Sequence, residues 1–116
     1  MAEKAIINKL NREKNNVCKI LTKSGYEIER ASNMTFCINA ARKPEYRFIG
    51  VAIKEILNSF RFKEQKQRLE NWPNPAPRVV SIEIWLKRED GQDFEIFTYE
   101  NGRWIDRNKK PASFLN

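Results

Sequence analysis

"MTFCINAARKPEYRFIGVAIK", residues 34–54, sets two apolar runs on either side of a short basic turn. In the first run Met34, Phe36, Ile38 and Ala40 alternate with Thr35, Cys37, Asn39 and Ala41, the period-two pattern of a strand. Arg42-Lys43-Pro44-Glu45 reads as the turn. Tyr46 to Ile53 is apolar at nearly every position, as expected of a strand covered on both faces. The pair is a predicted hairpin deep in a sheet, and neither run carries a carboxylate.

Outward from this hairpin the periodicity changes. Residues 3–23 predict a helix, with Ile6, Leu10, Val17, Ile20 and Leu21 at helical spacing. Lys19 and Lys23 favour the end of its dipole, and Gly25 is placed to stop it. Residues 26–31 (YEIERA) predict a short strand ending at Ser32-Asn33. A helical period returns over 60–72, where Phe62, Gln65, Leu69 and Trp72 share one side. Three prolines in the following WPNPAP forbid its continuation. Residues 79–88 (VVSIEIWLKR) are the plainest strand, with Val80, Ile82, Ile84 and Leu86 on one face and Ser81, Glu83 and Trp85 on the other. Asp90-Gly91 and Asn101-Gly102 predict two tight turns bounding strands at 94–99 and 103–105. Residues 1–106 thus read as one domain, and 107–116 as a frayed polar tail.

With 116 residues, 41% of them hydrophobic and 32% charged, the chain suits one modest core. No apolar run approaches the ~20 residues that span a bilayer, and the N-terminus lacks the apolar centre of a signal peptide. The expectation is a cytoplasmic protein with no membrane partner. Cys18 and Cys37 are the only cysteines and there is no histidine, which argues against a zinc site and excludes histidine catalysis. Both cysteines read as small buried hydrophobes. The net charge of +7 is uneven: residues 1–78 hold 16 Lys/Arg against 8 Asp/Glu, and residues 79–116 hold 6 against 7. Such a surplus suits either a phosphate-bearing partner or a basic surface that merely solvates the protein.

Four phrases in this order resemble the PD-(D/E)XK nuclease superfamily, above all small archaeal members related to Holliday-junction resolvases. "KILTKSGYEIERAS" resembles the family's first helix running into its first strand, and "SNMTFCINA" its second strand, usually Ser-x-x-x-Phe-Asp-hydrophobic-x-Ala. "YRFIGVAIK" resembles the third strand, which usually carries Glu-x-Lys or Gln-x-Lys. Residues 62–104 resemble the second helix, a Pro-containing loop and the last strands. The resemblance implies an α+β fold of the three-layer, restriction-endonuclease-like kind: helix, three strands, helix, then two to three strands, about a central mixed sheet. It also implies metal-dependent phosphodiester cleavage, in which an Asp and a Glu or Gln hold a divalent cation. The Lys orients the attacking water and offsets charge on the phosphate.

Those working residues are replaced here. Cys37 stands at the Asp position, Gly50 at the Glu position and Ala52 at the Lys position. Sliding the third strand by two residues brings Lys54 to the Lys position but puts Ala52 at the acid. A thiol and two small side chains do not make an octahedral oxygen site for magnesium. Fallback ligands are Glu13, Asn39, Glu45 and Glu55, with Lys54 beside them; for Glu45 and Glu55 the plainer reading is a solvated charge at a strand end. Arg42, Lys43, Arg47, Lys54, Arg61, Lys63 and Lys66 are the candidate nucleic-acid contacts, with Arg68 near them, set against a simple solvated helix face. Trp72, Trp85 and Trp104 read as packing rather than base-stacking platforms.

The sequence therefore predicts an inactive nuclease-like protein with no catalytic residues and no cofactor, binding nucleic acid (DNA ahead of RNA) or acting as a partner module. The alternatives are an active nuclease with relocated ligands, needing Mg²⁺, and a protein-interaction subunit, with a homodimer admitted. In the last, the sheet edge after residue 94 or the emptied face would pair with another chain.

Overall fold

In the computed structural model of the chain, residues 2–30, 37–71 and 79–116 are described. The predicted positions Met34, Thr35, Phe36 and Trp72 and the WPNPAP loop lie outside these residues. The elements are α1 (Ala2–Lys23), β1 (Glu27–Arg30), β2 (Cys37–Arg42), β3 (Glu45–Ile53), a single 3₁₀ turn (Lys54–Ile56), α2 (Phe60–Glu70), β4 (Val79–Lys87), β5 (Glu95–Glu100) and β6 (Arg103–Ile105). All six strands form one mixed sheet in chain order, β1 to β6. Every neighbouring pair is antiparallel except β3 and β4, which are parallel.

That one parallel pair explains the second helix, because parallel neighbours need a crossover across the sheet. Ser59 caps it: the Ser59 hydroxyl accepts a hydrogen bond from the Phe62 N–H at 3.1 Å. Phe62, Gln65 and Leu69 form its buried stripe. Register then fixes the two faces of the sheet. Cys37 lies opposite Gly50, and Gly50 beside Ile84, so these share a face with Ala52 and Leu86. Ile49, Val51 and Ile53 share the other face with Glu83, Trp85 and Lys87. Leu69 of α2 covers the Gly50 face. Asn16, Lys19 and Ile20 of α1 border a groove with Trp85, Lys87, Phe94 and Ile96 on the opposite face. The molecule is thus three-layered, helix–sheet–helix, with Ile38, Ile49, Val51, Ala52, Ile53 and Leu86 wholly buried between the layers.

Of the two predicted tight turns, Asn101-Gly102 is as read, whereas Asp90-Gly91 lies within a longer connection from Lys87 to Glu95. Asn101 and Gly102 have φ of 53° and 81°, the pair of left-handed residues that a two-residue turn requires.

The last ten residues differ from the frayed polar tail expected of them. Ile105 bridges to Pro111, and the Ala112 N–H donates to the Trp104 carbonyl at 2.9 Å. The Asn116 amide closes the arrangement, accepting from the Trp104 N–H at 2.7 Å and donating to the Trp104 carbonyl at 3.0 Å. Ala112 and Leu115 are buried in the core, and Phe114 meets Phe97 edge-on at 5.2 Å. The physical reason is the outer edge of β6, whose backbone groups and adjacent apolar surface this segment covers. The same contacts correct the idea of an open edge after residue 94, since β5 lies between β4 and β6. At the other end of the sheet, β1 is only four residues long and mostly charged, which discourages edge pairing.

Candidate functional site

The positions where the resemblance puts metal ligands meet at the centre of the sheet. Cys37 and Gly50 are directly opposed across β2 and β3, and Ala52 follows on the same face. All three are buried. A side chain started at Gly50 would place its Cβ 2.9 Å from Leu69 Cδ1, 3.7 Å from Ile84 and 3.8 Å from Cys37 Sγ. A contact under about 3 Å forces a neighbour to shift, here the terminal methyl of Leu69, so any larger side chain at 50 needs that leucine to move. The Cys37 thiol faces Gln65, with Sγ 3.8 Å from its Oε1. Burial pushes the thiol up to about 12, against the opposing charges of Lys14 and Arg68. What stands at this point is therefore a small apolar contact with a protonated thiol, closed by a leucine.

The raised thiol makes a testable statement about pH. The folded chain keeps Cys37 protonated while the unfolded chain ionises above the ordinary 9.0, so stability falls as pH rises between 9.0 and about 12. The slope from this group is about 1.4 kcal/mol per pH unit. Urea unfolding at pH 8 to 11 is expected to show that slope in the wild type and to lose it in Cys37→Ala; equal slopes would contradict it. Iodoacetamide at pH 8 is expected to label Cys37 only in denaturant.

The fallback ligands do not converge. Glu13 is buried on α1, accepts from the Asn16 amide at 3.0 Å and lies 3.9 Å from Lys87 Nζ. Lys87 belongs to the opposite face from Cys37, so the sheet separates Glu13 from the candidate centre. Glu45 and Glu55 lie beyond opposite ends of the β3 core, about 30 Å apart along the strand at ~3.3 Å per residue. Glu45 accepts from the Tyr26 hydroxyl at 2.9 Å, and that bond, followed by the Arg42 charge, holds its carboxyl below the usual range. Glu55 pairs with Lys9 at 2.7 Å, which lowers the carboxyl and raises the amine. Asn39 lies on the Cys37 face, half-buried, in a cleft of about 400 Å³ with Glu27, Glu29, Tyr46 and Phe48. Among the described residues, no three of His, Cys, Asp or Glu are arranged to hold a metal ion.

The candidate cations lie in two groups at opposite ends of β3. Arg42, Lys43 and Arg47 lie at the hairpin turn, while Lys54, Arg61, Lys63 and Lys66 lie past the other end of β3. Several are already engaged. Arg42 donates to the Ser24 carbonyl at 2.8 Å and approaches Glu45 at 3.4 Å. Arg47 is held by Glu83, and Lys66 pairs with Glu70 at 2.8 Å. Lys43, Lys54, Arg61 and Lys63 are exposed and make no ion pair among the described residues.

Sequence reasoning placed Glu83 on the polar face of β4 and missed its role. Glu83 is 3% exposed and takes three hydrogen bonds: from Arg47 Nε at 2.7 Å, Arg47 Nη2 at 2.6 Å and Trp85 Nε1 at 2.8 Å. The Arg47 guanidinium in turn lies over the Tyr26 and Trp85 rings, at 5.3 and 5.4 Å. The available signal was one Arg and one Glu of opposite sign embedded in adjacent apolar strands. Trp85 and Trp104 are buried, in line with the packing roles expected of them.

No helix among the described residues is long and apolar enough to cross a membrane. No family model, no curated protein and no solved structure matches this chain.

Proposed function

We propose that the chain is a PD-(D/E)XK-like scaffold that binds nucleic acid, DNA ahead of RNA, without cutting it. The observation that carries the reading is the closed centre. Cys37 and Gly50 oppose each other where the family's ligands belong, and Leu69 fills the space that a carboxylate at 50 would need. The order of helix, three strands, helix and three strands around a mixed sheet agrees with the restriction-endonuclease-like arrangement that the resemblance implies. The binding surface is the Lys54 end, where Lys54, Arg61 and Lys63 are exposed and the one adjacent carboxylate that feels Lys54, Glu55, is bonded to Lys9. At the hairpin end, Arg42 and Arg47 are committed to Glu45 and Glu83.

Phosphate contact from such cations is independent of sequence and weakens with salt. Fluorescence anisotropy with labelled duplex, junction and single-stranded DNA at several salt concentrations tests it. The expected result is binding that falls steeply with salt, with the log–log slope reduced by roughly 2 to 3 in Lys54→Gln/Arg61→Gln/Lys63→Gln. No binding even at low salt would remove the reading.

A further inference from the structure

Phe60 is 80% exposed, more than any other large hydrophobic side chain among the described residues. Its exposure is not explained by the packing of α2. The buried stripe of that helix is Phe62, Gln65 and Leu69, and at 100° per residue Phe60 points away from it. Lys63 follows three residues on, beside Phe60 on the same side of the helix, and Arg61 flanks it on the other. Lys54 lies one short turn earlier, and the Ser59 N–H donates to the Ile56 carbonyl at 2.9 Å, tying that turn to the start of α2. Below them runs a groove of about 500 Å³, lined by Leu57, Asn58, Lys63, Lys66, Phe114 and Asn116. Three carboxylates enter this region, Glu55, Glu64 and Glu70; Glu55 is paired with Lys9 and Glu70 with Lys66.

We infer that Phe60 is a stacking platform for an unpaired base and that the partner is single-stranded nucleic acid. The inference rests on the nucleic-acid reading above and narrows it. An exposed aromatic ring offers a face to any base, while the neighbouring cations take the phosphates on either side. A duplex presents its phosphates but keeps its bases stacked, so it can use the cations and not the ring. The ring and the charges are therefore separable by experiment.

The test compares wild type, Phe60→Ala, Phe60→Trp and Arg61→Gln/Lys63→Gln in anisotropy titrations with a labelled oligo-dT, a blunt duplex and vesicles containing phosphatidylserine. Phe60→Ala is expected to weaken oligo-dT binding about tenfold or more, to leave duplex binding within twofold, and to keep the salt slope. Phe60→Trp is expected to restore oligo-dT binding, and Arg61→Gln/Lys63→Gln to weaken both nucleic acids and flatten the slope. Because Phe60 is exposed, thermal melts of its variants are expected to overlay that of the wild type. Unchanged oligo-dT affinity in Phe60→Ala, with duplex binding intact, would overturn the platform and spare the nucleic-acid reading. Absence of binding to both would overturn the two together. Phe60-dependent binding to vesicles without binding to oligo-dT would assign the patch to a lipid surface instead.

Discussion

Gly50→Glu, which puts an acid where the resemblance would have one, is expected to cost about 4 kcal/mol of stability and to produce no nuclease. The first part follows from space. The Cβ alone would stand 2.9 Å from Leu69 Cδ1 in a closed layer, and overpacking of this kind costs about 1–3 kcal/mol. The remainder is the carboxylate, which would leave water for a pocket lined by Leu69, Ile84 and the Cys37 thiol. Lys14 and Arg68, whose charges reach Cys37, reduce that cost without removing it. Gly50→Ala meets only the Leu69 methyl and is expected to cost less than half as much. Gly50→Glu/Leu69→Ala removes the clash but keeps the buried acid, and it is expected to fall between wild type and Gly50→Glu only if Leu69 is the obstacle. Thermal unfolding followed by circular dichroism checks all three, at roughly 4 °C per kcal/mol for a domain of this size. Wild-type stability in Gly50→Glu, or nicking of plasmid by it with magnesium or manganese, would show that the pocket is open.

Glu83→Ala is expected to be as damaging, at about 3–5 kcal/mol. The deletion leaves the Arg47 guanidinium without its bidentate partner and the Trp85 indole N–H without an acceptor. The cation–π contacts with Tyr26 and Trp85 remain, which is why the cost is not larger. Removing one member of a buried pair is harsher than removing both, so Arg47→Met/Glu83→Leu is expected to recover most of the loss. Urea unfolding of Arg47→Met, Glu83→Leu and Arg47→Met/Glu83→Leu closes the cycle. Additive losses in the double variant would mean that the two residues do not act as a pair. A basic residue so committed is a poor phosphate ligand, and Arg47→Met/Glu83→Leu is accordingly expected to bind DNA as the wild type does.

The fold was largely legible because its signals are local. The period of α1, the alternation in VVSIEIWLKR, the Asn101-Gly102 turn and the proline break after α2 each name an element within about two residues of its bounds. Two features escaped for the opposite reason. Burial of Glu83 depends on which face of β4 the helix α1 covers, and alternation alone gives two faces without saying that both are buried. The C-terminal segment is polar in composition, yet Ala112 and Leu115, three residues apart, are enough to seat it once β6 provides an edge to cover. What the sequence offered at the centre was three small residues, Cys37, Gly50 and Ala52, and the structure sets Cys37 opposite Gly50 there. That Leu69 seals the space was not legible, because the meeting of α2 with β3 is a tertiary contact. The two regions of cations, at the hairpin turn and around α2, were legible as separate stretches of sequence, and β3 holds them at opposite ends.

Whether the proposed nuclease-like scaffold holds nucleic acid without cutting it is tested, in both halves, by one sample. A 5′-labelled DNA carrying a single-stranded tail is mixed with the protein at low salt and 5 to 10 mM magnesium (conditions on the order used for phosphodiester cleavage). Its anisotropy is read, and the same sample is then run on a denaturing gel. Raised anisotropy and full-length DNA at every time point are expected. Metal-dependent loss of the full-length band, or anisotropy that never rises, would contradict the proposal.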